Sequence, residues 1–97
     1  MKYIVIEVRF SNDHCLEVPF IFPEFIVHAD MADRMKQYLA SEYKDTTVTT
    51  IAGGFVNSME VGSGIRPTGE STSAKVKSRG NKDKQLITMC DYGSMNV

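Results

Sequence analysis

From Lys2 to Phe10 the chain alternates: Ile4, Ile6, Val8 and Phe10 fall on one side, and Tyr3, Val5, Glu7 and Arg9 on the other. A period of two belongs to a β-strand, whose successive side chains point to opposite faces, so this stretch predicts a half-buried strand. Ser11-Asn12-Asp13-His14 is turn chemistry, because Asn and Asp tolerate left-handed backbone and bond their own main chain. Alternation resumes over Cys15–Phe22, with Leu16, Val18, Phe20 and Phe22 on the core side, and the two runs predict a β-hairpin. Pro19 has no N–H to offer a ladder, so the second strand belongs at an edge or at a bulge.

Phe22-Pro23-Glu24 stops that strand, and Phe25-Ile26-Val27 reads as a short buried connector. The period then changes to that of a helix. Ala32, Met35 and Leu39, with Met31 and Tyr38 beside them, form an apolar stripe, while Arg34, Lys36, Gln37 and Ser41 lie opposite. The helix is expected to begin near His28-Ala29-Asp30 and to end near Tyr43, with Asp30 and Asp33 placed to complement its macrodipole. Thr46–Ile51 is β-branched and predicts a strand. Gly53-Gly54 fits either a two-residue hairpin turn or a kink in one long strand reaching Asn57. A further strand is expected from Met59 to about Ile65, continuing past Pro67 towards Ser73. Lys77–Asp83 reads as a loop around Arg79-Gly80-Asn81, Leu86–Cys90 as a short apolar piece that docks back, and Gly93–Val97 as a fraying end.

These elements predict an α+β fold: a mostly antiparallel four-stranded sheet, in the order β-β-α-β-β, with one helix packed on one face. Ninety-seven residues make a single domain, 1–97. Phe10, Phe20, Phe22 and Phe25 are the expected bulk of its core. A chain this short buries only about two-thirds of the surface its unfolded form exposes, and self-association is a common way to add to that burial.

Net charge, −1, excludes little, but its distribution is uneven. Residues 1–60 carry five Lys and Arg against nine Asp and Glu, and residues 61–97 carry six against three. A basic rear half can mark an anion-binding face or the complement of the acidic front half of a second copy. The basic segment from Arg66 to Lys84 holds no aromatic residue, which weighs against nucleic acid, whose bases are usually stacked on aromatic rings. The longest apolar runs are too short to span a bilayer. No apolar signal-peptide core follows the opening Met-Lys-Tyr-Ile, and two cysteines do not make a disulfide framework, so a cytoplasmic protein with reduced thiols is expected.

Candidate chemistry is sparse. Gly69-Glu70-Ser71-Thr72-Ser73, followed by Lys75, Lys77, Arg79, Lys82 and Lys84, has the hydroxyls and cations of an anion site without the spacing of a phosphate loop. Ser71, Ser73, Lys77 and Arg79 are the candidate anion-binding residues, and Lys75 and Lys77 read equally as solvated lysines guarding a strand edge. His14, Cys15, His28 and Cys90 lack the paired spacing of a zinc site, so no metal and no cofactor are implied. Cys15 reads as a small buried hydrophobe. His14 and Cys15 are adjacent and face opposite sides of a strand, so they form no dyad. His28 with Cys90 is the remaining catalytic pairing, and Asp30, Asp33 and Glu60 show no acid–base pattern. Six methionines are many for this length. Met31, Met35 and Met59 suit a core, and Met89 and Met95 suit either the core or an adaptable protein contact.

Phe22-Pro23-Glu24-Phe25, leading into Val27-His28-Ala29-Asp30-Met31-Ala32, resembles a signature of small uncharacterised proteins of tailed bacteriophages. Gly69-Glu70-Ser71-Thr72-Ser73, with Lys77-Ser78-Arg79, Asp83 and Leu86-Ile87 after it, resembles a second signature of the same group. The resemblance implies a phage accessory protein working in the bacterial cytoplasm, with no assigned reaction. It also implies that Thr47–Asn57 is one strand, which favours a kink at Gly53-Gly54. The chain departs from the group at Ala74-Lys75-Val76, where relatives are more apolar. The expectation is a non-enzymatic protein that acts by binding a host or phage protein, and that forms a small homo-oligomer. The alternative is a small-anion or nucleotide-binding protein using the Gly69–Lys84 segment.

Overall fold

The alternation of the first twenty residues becomes a hairpin of β1 (Lys2–Arg9) and β2 (Cys15–Phe22), paired antiparallel from Lys2↔Phe22 to Arg9↔Cys15. The computed structural model describes residues 1–56 and 67–90, with Cys90 described in its backbone only. The chain continues through α1 (His28–Glu42), β3 (Thr47–Val56), β4 (Pro67–Thr68), β5 (Glu70–Ser71), β6 (Val76–Lys77) and α2 (Asn81–Cys90). Strands β2-β1-β3-β4 form one antiparallel sheet in that order, and β5 and β6 form a small separate ladder. The fold is α+β, as the sequence pattern indicates. Pro19 lies in β2, an outer strand of the sheet, where a residue without an N–H is tolerated.

One face of β1 carries Ile4, Ile6 and Val8, which bury against Phe22 and against Ala32 and Leu39 of α1, with Phe10, Val18, Phe20, Met31 and Met35 at the margin. This is the helix stripe expected from the periodicity, and each large apolar side chain fully buried here contributes about 1.5–3 kcal/mol. Tyr38, expected beside that stripe, is exposed on the outer side of α1. The register brings Leu16 to the same sheet face, opposite Val8, but at the hairpin end it is left partly exposed.

The opposite face of β1 is not half-solvated. Tyr3 and Val5 are fully buried there with Ala52, Val56 and Ile87, and Ile21, Ile51 and Leu86 pack around them. The cover comes from α2, which occupies most of the stretch read from sequence as a loop followed by a docking piece. Leu86 and Ile87 do dock, but from a helix whose start lies inside the basic run. Ten residues are too few to form a helix stably alone, so packing against the sheet, not local propensity, supports α2.

β3 runs unbroken through Gly53 and Gly54, so neither glycine turns the chain. The irregularity lies two residues before Gly53: Val5 pairs with Ala52 and Ile6 with Thr50, leaving Ile51 as the extra residue of a bulge. Gly54 answers to a close approach, because a Cβ there would sit 2.3 Å from the Thr68 carbonyl oxygen of β4. The strand expected to continue past Pro67 to Ser73 is interrupted at Gly69, whose φ is +77°. The proposed strand at Met59–Ile65 and the end at Gly93–Val97 lie outside the described residues.

Three more expectations differ from the structure. Cys15 is exposed at the turn end of the hairpin, where it pairs with Arg9. The Phe25-Ile26-Val27 connector is not buried throughout. Only Ile26 packs inward; Phe25 is 85% exposed and Val27 46%. Phe25 therefore adds nothing to the core. The reason is a turn: the Ile26 N–H donates to the Pro23 carbonyl oxygen at 3.1 Å, which directs Ile26 under α1 and its neighbours outward.

Candidate functional site

The four candidate anion-binding residues do not converge. Ser71 is buried, and its hydroxyl accepts the Ala74 N–H at 3.1 Å, closing the turn between β5 and β6. Ser73 lies 3.3 Å away, oxygen to oxygen, and accepts the Ala29 N–H at 3.2 Å. That contact satisfies one of the free N–H groups in the first turn of α1, whose cap position, Val27, has no side chain able to do so. Lys77 is exposed in β6 opposite Glu70. Lys75, expected to share a strand face with it, sits in the turn with φ of +58°.

Arg79 faces away from the serines, towards a buried polar cluster that the sequence reading did not anticipate. Its Nε donates to Asp83 Oδ1 at 2.6 Å and its Nη2 to Glu17 Oε1 at 3.0 Å. Asp83 is completely buried in the first turn of α2. Its Oδ2 also accepts the Arg79 backbone N–H at 2.8 Å and the Tyr3 hydroxyl at 2.5 Å. One carboxylate thus ties the start of α2 to β1 through Tyr3, and Arg79 extends the tie to β2 through Glu17. Burial first, and then the carboxylate of Asp83, raises the pKa of the Tyr3 phenol above its ordinary value. Burial alone would lower the pKa of the Arg79 guanidinium, but Glu17 and Asp83 outweigh it and raise it. In sequence the signals were the i, i+4 spacing of Arg79 and Asp83 and a serine, Ser78, two residues ahead of Gly80. They are weak because the partner, Tyr3, lies eighty residues away.

His28 is another buried polar group. Its Nε2 donates to the Gly54 carbonyl oxygen at 2.8 Å, which places the proton on that nitrogen. The ring stands edge-on between Phe22 and Phe55, with centroids 5.5 and 5.4 Å away. Burial lowers its pKa, and the nearby Lys2 charge lowers it further, against the opposing effect of the Gly54 bond. This geometry joins the first residue of α1 to β3. The pairing of His28 with Cys90, and any role of Glu60 or Met95, involves side chains outside the described residues. Among the described residues, no three of His, Cys, Asp and Glu gather so as to hold a metal ion.

A third arrangement lies on the surface at the start of α1. Phe25, Val27, Met31, Asp30 and Arg34 border a groove of about 340 Å³, floored by Ile26. The turn that presents Phe25 is held in place. Its Ile26 carbonyl accepts the Lys2 ammonium at 2.9 Å, and the Ile26 side chain is embedded in the core. A shallower depression of about 510 Å³ lies beside the β5–β6 ladder, lined by Ile51, Ser71, Thr72, Val76 and the side chains of Glu70, Lys75 and Lys77. Among the described residues no helix is long and apolar enough to cross a membrane. Comparison with protein-family models, with curated proteins and with solved structures finds no match to this chain.

Proposed function

We propose that this chain is a non-enzymatic binding protein that acts through protein–protein contact. The observation that supports this is the display of Phe25, 85% exposed, on a turn fixed by three interactions and beside the half-exposed Val27. A single exposed apolar side chain is ordinary, but aromatic anchors next to an apolar groove are the usual centres of binding surfaces. Preorganisation matters too, because a side chain already held in place loses little entropy on binding. The resemblance of the two signatures supports a phage accessory protein that works in the cytoplasm of the bacterial host by occupying a host or phage factor.

A photo-reactive residue at position 25 tests the reading in infected cells, followed by affinity measurements with the purified captured protein. The expected result is a complex that forms with the parent chain and is weakened at least about tenfold by Phe25→Ser. Equal affinity of the parent and Phe25→Ser for every captured protein would end the proposal.

The second reading, a small-anion or nucleotide binder, is favoured by one feature: Ser71, Thr72, Lys75 and Lys77 border the same surface depression. Against it, Glu70 lines that depression too, and Ser73 and Arg79 already have partners. Phosphate or nucleotides at concentrations well above a dissociation constant should raise the melting temperature if the reading holds. A panel with no shift removes it.

A further inference from the structure

The outer side of α1 carries a second stripe, distinct from the one facing the sheet. Val27, Asp30, Arg34 and Tyr38 recur at the spacing that puts helical residues on one face, with Met31, partly buried against the core, at its inner edge. Val27 and Tyr38 are each about half exposed, and Phe25 projects beside the N-terminal end. Asp30 and Arg34 lie one turn apart on this face. They form no ion pair with each other or with any other described residue, although Asp33 and Lys36 do pair alongside them.

We propose that this face is where a second copy of the chain docks, about a two-fold axis crossing α1 near its first two turns. This face is self-complementary. When two identical helices pack antiparallel across a two-fold axis, a residue on one side of the axis meets a residue equally far on the other side. An axis midway between Asp30 and Arg34 sets Asp30 against the partner's Arg34 and Arg34 against the partner's Asp30. That same axis brings Phe25 and Val27 to the partner's Tyr38, so an aromatic and an aliphatic group meet an aromatic ring. Met31, partly buried against the core, also borders the groove at this face, where an unbranched thioether adapts to a close neighbour. One symmetry operation therefore supplies a partner for both lone charges and cover for Phe25, Val27 and Tyr38.

A stripe with one acid and one base has no net charge, so it does not select a strongly acidic or basic foreign surface. It carries its own complement. The groove bordered by Phe25, Val27, Met31 and Arg34, about 340 Å³, accepts an inserted side chain from the facing copy. The proposal rests on the binding reading and deepens it by naming the occupant of this face.

The test is sedimentation of the purified chain over a range of concentrations. The parent should move from 10.8 kDa towards twice that mass as concentration rises. Asp30→Arg alone, or Arg34→Asp alone, places like charges together and should raise the dimer dissociation constant at least about tenfold. The double variant Asp30→Arg/Arg34→Asp recreates both pairs with the signs exchanged and should return to within about threefold of the parent. Tyr38→Ser should weaken the dimer without touching a charge. All these positions are exposed, so unchanged circular-dichroism melts of each monomer confirm that folding is intact. A parent that stays at one protomer mass at every concentration overturns the proposal, as does a double variant no tighter than either single reversal. In the first case a foreign complex that still depends on Phe25 leaves the binding reading standing. If no complex of either kind depends on Phe25, both are lost.

Discussion

Asp83→Ala should be among the most damaging single substitutions in this protein, and the damage can be apportioned. The carboxylate is fully buried and accepts from the Tyr3 hydroxyl, the Arg79 backbone N–H and the Arg79 Nε. Removing it leaves a buried phenol without its short bond and a half-buried guanidinium with only Glu17. Breaking one side of a buried charged pair costs about 3–5 kcal/mol. Tyr3→Phe is the milder cut, because the carboxylate keeps two N–H donors and the ring keeps its packing; about 1.5 kcal/mol is expected. The double variant should lose less than the two singles together, with a coupling of about 1–2 kcal/mol, since its two members share one bond. Urea unfolding followed by far-ultraviolet circular dichroism reads all three. A domain of this kind is stable by about 5–15 kcal/mol, so Asp83→Ala should show a markedly lower midpoint and Tyr3→Phe a modest one. A smaller loss for Asp83→Ala than for Tyr3→Phe, or effects that simply add, would show that this carboxylate is not what holds the cluster together.

The remaining predictions address the other joints of the fold. Gly54→Ala forces a Cβ to within 2.3 Å of the Thr68 carbonyl oxygen and should cost about 3 kcal/mol or more in urea unfolding. Gly80→Ala has nothing within 4 Å of its Cβ and only the penalty of its +62° φ, about 1–2 kcal/mol. If Gly80 proves the more sensitive position, the close approach of β4 to β3 is misplaced. Ser73→Ala removes the hydroxyl that caps α1 from the β5–β6 turn and should cost about 1 kcal/mol by thermal melting, with Ser73→Thr restoring part of it. The lowered His28 pKa means that the unfolded chain takes up a proton there before the folded one does. Its contribution to stability is therefore present above about pH 6.5 and lost as the pH falls below it. Midpoints measured between pH 7.5 and pH 5 should fall for the parent and fall less for His28→Gln; equal slopes would remove the histidine from this role. The raised Tyr3 pKa acts on the other side, with stability held below about pH 10 and lost above it, a loss that Tyr3→Phe abolishes.

Much of the architecture was legible in the pattern. The alternation of Ile4, Ile6 and Val8 with Tyr3 and Val5 identified β1, and the stripe of Ala32, Met35 and Leu39 identified α1 and the side it buries. Pro19 marked an outer strand. What misled was the reading of short apolar runs. Phe25-Ile26-Val27 has no period of its own, so nothing local says that the Pro23 turn sends Ile26 inward and Phe25 out. Cys15 continues an alternating strand, and nothing in that alternation says that its turn end is left exposed.

The candidate site was legible as a list of residue types and not as a place. Glycine, serine, lysine and arginine between Gly69 and Lys84 do form turns and a helix start. In space, however, Ser73 turns to α1 and Arg79 to Asp83 and Glu17. A polar side chain is used where its nearest complementary group lies, and those groups come from the other half of the chain.

Residue order by itself settled the periodicities of β1, β2 and α1: that the first two extend, that the third coils, and which face of α1 is apolar. Those are local consequences of backbone geometry and of the cost of exposing apolar surface to water. Tertiary structure alone decided the second cover over Tyr3 and Val5, the joining of Tyr3 to Asp83 and of His28 to Gly54, and the exposure of Phe25. Each of these depends on two surfaces meeting across long sequence separations, and the free energy of that meeting is not a property of either segment alone.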